Sequence, residues 1–327
     1  MFVHYLAPAL GATVRFVGSE PFDPLTRRYN ELMAELLPKS GIEVVLIERK
    51  DLDGNPISAS RIRAFIENNK MHAAMQLVPP TTQPFILAKF AVDALQKELD
   101  TTPKPGLVDK DNSGAHTDMD YILMERSIGA LRPYFVKLAQ LGMRADTLTT
   151  QDVQRIGMEA EAAMLRTTHG VNTHRGALFA LGITVAAAMW LYQHEEHEVR
   201  KESLRHLISK IAAGFKPSAH THGAEVMAKN HVKGARESAI EGYPELFETW
   251  GPYYRALRED PYRAHRTLLK IMSMLQDTNI YYRTDAETAE LVRQSSSMLL
   301  QRFSINALRD ADAEFIRHNI SPGGCAD

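Results

Sequence analysis

The sequence has little cysteine, little tryptophan and no excess of charge. Among 327 residues there is one cysteine, Cys325, and there are two tryptophans. A lone cysteine excludes a disulfide framework and a cysteine-rich zinc site, and it fits a reducing compartment such as the cytoplasm. A formal charge of −2 gives no polyanion-binding footprint, and no basic run suggests nucleic acid as a partner. The N-terminus, MFVHYLAPALGATVRF, lacks the basic region and apolar core of a signal peptide. The most apolar stretch, residues 177–192, is shorter than the roughly 18–20 residues a membrane span needs, so it reads as a buried core helix with no membrane involved. Neither G-x-x-x-x-G-K-[ST] nor a strand-linked G-x-G-x-x-G is present, so the two common phosphate-cradling loops are missing.

What remains is the composition of a globular protein, 44% hydrophobic and 24% charged. Its two parts differ in kind. In the first, TVRFV (13–17) and EVVLIE (43–48) are short β-branched runs, and Tyr29, Leu32, Met33, Leu36 and Leu37 fall at helical spacing between them. Ser58 and Ser60 are N-cap candidates for a helix over SRIRAFIENN. Two strands make an incomplete α/β unit, a piece of a fold. From about Phe85 onward the apolar residues recur every three or four positions, in FAVDALQKEL, ILMERSIGALRPYFVKLAQLG, TQDVQRIGMEAEAAMLRTT, 175–193, ESLRHLISKIAAGF, RAHRTLLKIMSMLQ and AETAELVRQSSSMLLQRF. The expected fold is mainly α: an α/β fragment over 1–84, then an all-α domain over 85–327. LVPPTTQP (77–84), with three prolines, marks the boundary. HEEHE (194–198) reads as a solvated helix face.

Four polar clusters stand at the helix junctions: TPKPGLVDKDNSGAHTDMD (102–120), THGVNTHRGA (168–177), HTHGAEVMAKNHVKGARESA (220–239) and QDTNIYYR (276–283). Together they suggest one site built from loops and helix ends. Asp109, Asp118, Asp120 and Asp277 are hard oxygen donors of the kind Mg²⁺ takes beside substrate phosphates. Lys104, Arg175, Arg236 and Arg283 can neutralise phosphates, and Gly106 and Gly114 permit close backbone approach. Zinc fits less well, because H-E-x-x-H is absent, although His116, His174 and His222 could meet in space.

These clusters, in order, with EAEAAML-x₄-GVNTHRGALFALG, GARESAIEGYP, DTN-x₃-R and the terminal NISPGGCAD, resemble the triphosphoribosyl-dephospho-CoA synthase family. The resemblance implies an enzyme that takes ATP and 3′-dephospho-CoA, releases adenine and joins the triphosphoribosyl group to the acceptor 2′-hydroxyl. The product is the precursor of the citrate lyase prosthetic group. On that resemblance Asp109, Asp118 and Asp277 would hold Mg²⁺ and triphosphate, with Asp120 as a further candidate. Asp118 also counts among the catalytic residues, and His116 or Glu161 would be the base. Lys104, His174, Arg175 and Arg236 would grip phosphates, joined by Arg283, while Asn172 and Asn279 would orient ribose or adenine. The family also implies that ISPGGCAD should run on into a further apolar helix.

Residues 1–83 resemble the C-terminal part of citrate lyase ligase, with ISASRIR similar to a nucleotidyltransferase phosphate motif contacted through Ser58, Ser60 and Arg63. The other phosphate motif of such enzymes, T/H-x-G-H, is absent. A remnant that no longer adenylates and serves to dock citrate lyase maturation proteins is the corresponding expectation. Two rivals remain: a non-catalytic scaffold that binds nucleotide or lyase subunits, and a Mg²⁺-dependent prenyl-transfer type of enzyme. The second calls for D-D-x-x-D motifs, which this chain lacks.

Overall fold

The computed structural model describes residues 2–20, 22–68, 70–195, 197–216, 222–230 and 232–327, with the side chains of 222–225 set aside. Helices hold 67% of the chain and strands 4%, so the protein is mainly α with a small N-terminal α/β region. Two compact units divide it, Met1–Pro79 and Pro80–Asp327.

Unit 1 opens with a short helix α1 (Ala7–Leu10), followed by β1 (Val14–Gly18), α2 (Pro24–Leu36) and β2 (Glu43–Ile47). The two strands pair in parallel, Val14 opposite Glu43 and Phe16 opposite Val45. Asp23 starts α2: its carboxylate accepts the Leu25 and Thr26 N–H groups, and Pro24 fixes the first helical φ. A two-residue hairpin, β3 (Asp51–Leu52) and β4 (Asn55–Pro56), precedes α3 (Ala59–Glu67) and α4 (Met71–Gln76). Ser58 caps α3 through the Arg61 N–H at 3.2 Å. One core cluster of this unit gathers Ala7, Leu37 and Ile42, with Phe2, Val3, Met33 and Val44 around them, and Val17, Ala74, Met75 and Leu77 are buried as well.

Unit 2 is helical among its described residues. Its long helices are α5 (Gln83–Asp100), α6 (Tyr121–Arg144), α7 (Thr150–Thr167), α8 (Arg175–His194) and α9 (Lys201–Ala213). Then come α10 (His222–Asn230), α11 (Ala235–Ile240), α12 (Gly251–Ala256), α13 (Arg263–Met272), α14 (Thr278–Arg283), α15 (Ala286–Gln301), α16 (Ile305–Arg317) and α17 (Gly323–Ala326). The seven helical spans expected from periodicity are all present; α16 and the short α12 and α17 join them, the polar clusters at 220–239 and 276–283 are themselves partly helical in α10, α11 and α14, and two further features differ from expectation. First, α8 extends past both ends of its apolar run to 20 residues, long and apolar enough by composition to cross a membrane. It packs against α5, α6, α7 and α9, and 61% of its apolar window is buried inside the protein. That encirclement explains why it is apolar on every side. Second, HEEHE is no helix face: α8 stops at His194, and His197 has a φ of +61°, while Glu196 lies outside the described residues.

α6 and α8 touch backbone to backbone. A β-carbon on Gly142 of α6 would stand 2.3 Å from the Ala186 carbonyl oxygen of α8, so glycine is required at this crossing. Beyond the crossing, Trp190 donates its indole N–H to the Ala145 carbonyl at 3.0 Å. A second core of Met272, Ile280, Ala289, Val292, Phe315, Ile320 and Cys325 binds the C-terminal helices together. The two cores leave four helix ends facing one another: the C-terminus of α5 and the N-termini of α6, α8 and α14.

Candidate active site

The segment between α5 and α6 is an ordered loop whose first half is buried, Pro103 through Asp109. Asp109, 1% exposed, organises it. Its carboxylate accepts the backbone N–H groups of Lys104 at 2.8 Å, Asp111 at 2.8 Å and Asn112 at 3.3 Å. Asp312 of α16 reaches in from some two hundred residues away. It accepts the Gly106 N–H at 2.9 Å and the Asn112 side-chain amide at 2.7 Å. Gly106 has a φ of +71°, and a β-carbon there would lie 2.1 Å from the Ile320 carbonyl oxygen. Only glycine satisfies both conditions. The loop is closed further by His116, whose Nε2 stands 2.9 Å from Ser321 Oγ. Arg283 of α14 completes it, donating to the Ala115 carbonyl and, at 3.2 Å, to the Asn319 carbonyl.

The last residues turn back into the same region. Asp277, 2% exposed, caps α14 through the Asn279 N–H at 2.8 Å and accepts the Cys325 N–H at 2.8 Å with its other oxygen. Gly323 and Gly324 make that approach possible: β-carbons there would stand 2.9 Å from Asn279 Nδ2 and 3.0 Å from Asp277 Oδ1. The chain then delivers Asp327 to the N-terminus of α8. Its carboxylate accepts the Ala177 N–H, and a β-carbon on Gly176 would lie 2.0 Å from its Oδ2. A helix N-terminus is a favourable place for negative charge.

Four carboxylates and one ammonium share this centre. Lys104, 1% exposed, pairs its Nζ with Glu98 of α5. Glu98 is pushed above the usual carboxylate range by desolvation, which the Lys104 charge partly offsets. Asp109 and Asp277 are likewise raised by desolvation, against the pull of their backbone donors. Asp327 rises to about 7, through desolvation first and then through the charges of Asp277 and Glu98. Glu98 keeps 27% of its side chain exposed, and Asp327 is exposed as a residue although protein crowds its carboxylate. The Glu98 charge acts on Asp327, so the two carboxylates stand near each other.

His174, at the N-cap position of α8, is 3% exposed and shifted down to about 4 by burial and by the Lys104 charge. Thr173 donates its hydroxyl to Ser127 Oγ at 2.7 Å, and Ser127 Oγ stands 2.9 Å from His174 Nδ1. Ser127 therefore gives its own hydrogen to Nδ1, and the imidazole carries its proton on Nε2. That Nε2 has no hydrogen-bond partner among the described residues. A buried donor without a partner is costly, and a ligand atom would satisfy it. At the rim, Asn172 accepts the Arg175 N–H at 3.1 Å, and the Arg175 guanidinium meets Glu161 of α7 at 2.5 Å.

The residues singled out from the sequence thus take several kinds of place. Lys104, Asp109, His174 and Asp277 belong to the buried centre, Asn172, Arg175 and Asn279 to its helix-end rim, and Glu161, inside α7, joins that rim through Arg175. His116 and Arg283 staple the loop. His116 is held below its ordinary value by burial and by Arg283. Asp120 caps α6 through the Leu123 N–H at 2.8 Å. Asp118 is exposed, its nearest polar neighbour being His116 Nδ1 at 3.4 Å. Arg236 turns to the Phe215 carbonyl at 2.9 Å and to Glu237 at 3.2 Å. The His222 side chain lies outside the described ones. Ser58 and Ser60, 3.0 Å apart, belong to unit 1 with the exposed Arg63. Among the described residues no three His, Cys, Asp or Glu side chains are grouped to hold a metal ion. Glu98, Ser127, Asp312 and Asp327 were not singled out from the sequence: Glu98 and Ser127 lay in stretches marked only by helical periodicity, and Asp327 ended the terminal NISPGGCAD.

Comparison with known proteins supplies the chemical frame. Residues 84–327 match the family described as ATP:dephospho-CoA triphosphoribosyl transferase, and residues 1–86 match the citrate lyase ligase C-terminal domain. A Pseudomonas fluorescens protein named as a probable 2-(5″-triphosphoribosyl)-3′-dephosphocoenzyme-A synthase is 35% identical over 271 residues, covering 79% of this chain and 92% of the relative. The Klebsiella pneumoniae 2-(5″-triphosphoribosyl)-3′-dephosphocoenzyme-A synthase is 34% identical over 253 residues, covering 74% and 90%. An Azotobacter vinelandii relative, also named as a probable synthase of this kind, is 36% identical over 276 residues, covering 79% and 92%. No solved structure matches the chain.

Proposed function

This chain belongs to the ATP:dephospho-CoA triphosphoribosyl transferase family, and we propose that its chemistry takes place where Asp327 and Glu98 meet the N-terminus of α8. The reaction moves the triphosphoribosyl group of ATP onto 3′-dephospho-CoA and releases adenine, the step that makes the precursor of the citrate lyase prosthetic group. The missing P-loop is consistent with this: the triphosphate travels with the ribose, and no phosphoryl group is transferred.

The bond from C1′ to adenine N9 breaks as the acceptor oxygen bonds to C1′, through an oxocarbenium-like transition state. The electron pair of the broken bond leaves with adenine, which takes a proton from water. The acceptor hydroxyl must lose its own proton, and we assign that proton to the Asp327 carboxylate. A base is most effective when its pKa lies near the working pH, and such help is worth roughly 10²–10⁴-fold. Asp327 meets that condition with its value of about 7, and the Ala177 N–H holds it in place. The other two base candidates are less suited. Glu161 is tied to Arg175, and His116 is engaged with Ser321. Glu98 and Asp277 would favour the positive charge that develops at C1′, and the unpartnered His174 Nε2–H would donate to a phosphate or ribose oxygen.

Arg175 and Arg283, both partly exposed, would receive phosphates, arginine being suited to bidentate pairing. Asn172 and Asn279 stand at the helix ends where ribose would lie. Magnesium, arriving with the triphosphate, would neutralise phosphate charge, and it typically takes only one or two protein carboxylates. Of the four aspartates considered for it, Asp118 has the open carboxylate, whereas Asp109, Asp120 and Asp277 are engaged by backbone N–H groups. Use of ATP and a lone buried thiol support a cytoplasmic setting. The match of residues 1–86 supports citrate lyase maturation proteins as partners.

The observation that carries this reading is the Asp327 carboxylate held on the Ala177 N–H at the α8 N-terminus, with Asp277 and Glu98 acting on it. Free adenine, measured by chromatography from ATP, Mg²⁺ and 3′-dephospho-CoA, tests it. Release that depends on the acceptor and falls at least about 10²-fold in Asp327→Asn is the expected result. An unchanged rate in that variant removes Asp327 from the chemistry, and nucleotide binding without any adenine release supports the scaffold reading.

A further inference from the structure

Among the exposed apolar residues of unit 1, those on α2 form a regular stripe. On α2, Leu25, Tyr29, Leu32 and Leu36 are 80%, 55%, 36% and 49% exposed. The inward side of the same segment is already used, since Met33 and Leu37 belong to the small core of the unit. The stripe advances by four, three and four residues, which is the d-a-d-a pattern of a heptad seam.

That pattern has a centre of symmetry between Asn30 and Glu31. Laid antiparallel on itself, α2 sets Leu25 against the partner's Leu36 and Tyr29 against the partner's Leu32. Each layer then joins an a position to a d position, the arrangement antiparallel helices adopt. The flanking charges agree with this direction. Arg28 and Glu35 both occupy g positions, and antiparallel pairing brings g beside g, so Arg28 meets the partner's Glu35 on each side of the axis. Such g-position charges set partner and orientation. A parallel pair would set Arg28 beside the partner's Met33 and leave both charges unmatched.

Little opposes the exchange. Arg28 pairs with Glu31 at 3.1 Å and Lys39 with Glu35 at 3.1 Å, in each case with both side chains more than half exposed. Exposed pairs of this kind contribute about 0–1 kcal/mol. Leu32, midway along the helix, belongs to unit 1, whereas the transfer site is built from residues of unit 2.

We propose that α2 is a self-association surface, on which two copies of this chain pair antiparallel through Leu25, Tyr29, Leu32 and Leu36. Two 13-residue helices bury less than the roughly 1,200 Å² of a standard interface, so the dimer should be reversible with a dissociation constant in about the micromolar range.

Sedimentation velocity of the full chain over roughly 1–200 μM brackets that range. A monomer–dimer equilibrium is expected. Leu32→Glu should weaken it at least about tenfold, equivalent to roughly 1.4 kcal/mol. Arg28→Glu should weaken it too, by placing like charges opposite each other, and Arg28→Glu combined with Glu35→Arg should restore it. Circular dichroism and adenine release, unchanged in all three variants, keep the result separate from misfolding. A monomer at every concentration overturns the proposal, as does a dimer indifferent to Leu32→Glu. Failure of the double charge swap to restore pairing overturns the antiparallel register.

Discussion

The carboxylate of Asp327 occupies the space a side chain at Gly176 would need: a β-carbon there would stand 2.0 Å from Oδ2. The last residue described and the first turn of the central helix are therefore fitted to each other, across about 150 residues of intervening chain.

Gly176→Ala should displace that carboxylate. Alanine suits a helix better than glycine by about 0.5–1 kcal/mol, so the fold should hold or gain slightly. A misplacement of about 1 Å near reacting groups can cost roughly 10²-fold in rate. The expected outcome is a large fall in kcat with an undiminished Tm. Loss of both would mean that the glycine serves packing alone.

The pH dependence of catalysis should carry the value of about 7 reached by Asp327. A base acts in its ionised form, so kcat should rise with pH through about 7 and then level. The stability trend has the opposite sign. Because the folded value lies above the unfolded one, the native state holds more protons between pH 4 and 7, and stability falls as pH rises across that window. Asp327→Asn should flatten both profiles, as read from adenine release and from denaturant titrations.

His174 should show the converse. Its folded value of about 4 lies below the ordinary histidine value, so the unfolded chain binds the extra proton and stability falls as pH drops from about 6.5 to 4. Lys104→Met, which removes one of the two stated causes of the shift, should move the His174 titration upward in NMR spectra while leaving Glu98 without its partner. An unmoved titration would contradict the closeness of Lys104 and His174.

Asp312→Ala should unfasten the α5–α6 loop. It removes the acceptor of two hydrogen bonds, to the Gly106 N–H and the Asn112 amide. Bonds to a charged group are worth about 1.5–3 kcal/mol each, so a loss of about 3–6 kcal/mol is expected. Amide exchange should quicken at Gly106 and Asn112 first. A loss confined to α16 would instead mean that the loop holds itself.

Much of this architecture was legible from residue spacing. The helices of unit 2 are marked by apolar periodicity because each has one face on a core, and α8 is marked by having no polar face at all. The polar loop at 102–120 was recognisable as functional or disordered from its prolines, glycines and aspartates. Which of its aspartates face a ligand was not, because a carboxylate suited to a metal is equally suited to backbone N–H groups, as Asp109, Asp120 and Asp277 demonstrate. Glu98 and Asp312 look like ordinary surface acids of amphipathic helices. Only tertiary contact sets one against Lys104 and the other against Gly106. Asp327 stood in the terminal motif, but its reach to Gly176 depends on the turn made by Gly323 and Gly324. HEEHE had helical composition but not the backbone to match: α8 had already ended.

Adenine release across pH reads the role of Asp327 most directly. The wild-type chain and Asp327→Asn, each with ATP, Mg²⁺ and 3′-dephospho-CoA, would be followed for free adenine across pH 5–9. The account expects acceptor-dependent release from the wild type, rising through about pH 7, and a rate lower by at least about 10²-fold with no such inflection in the variant. Equal rates and equal pH profiles for the two proteins would contradict it.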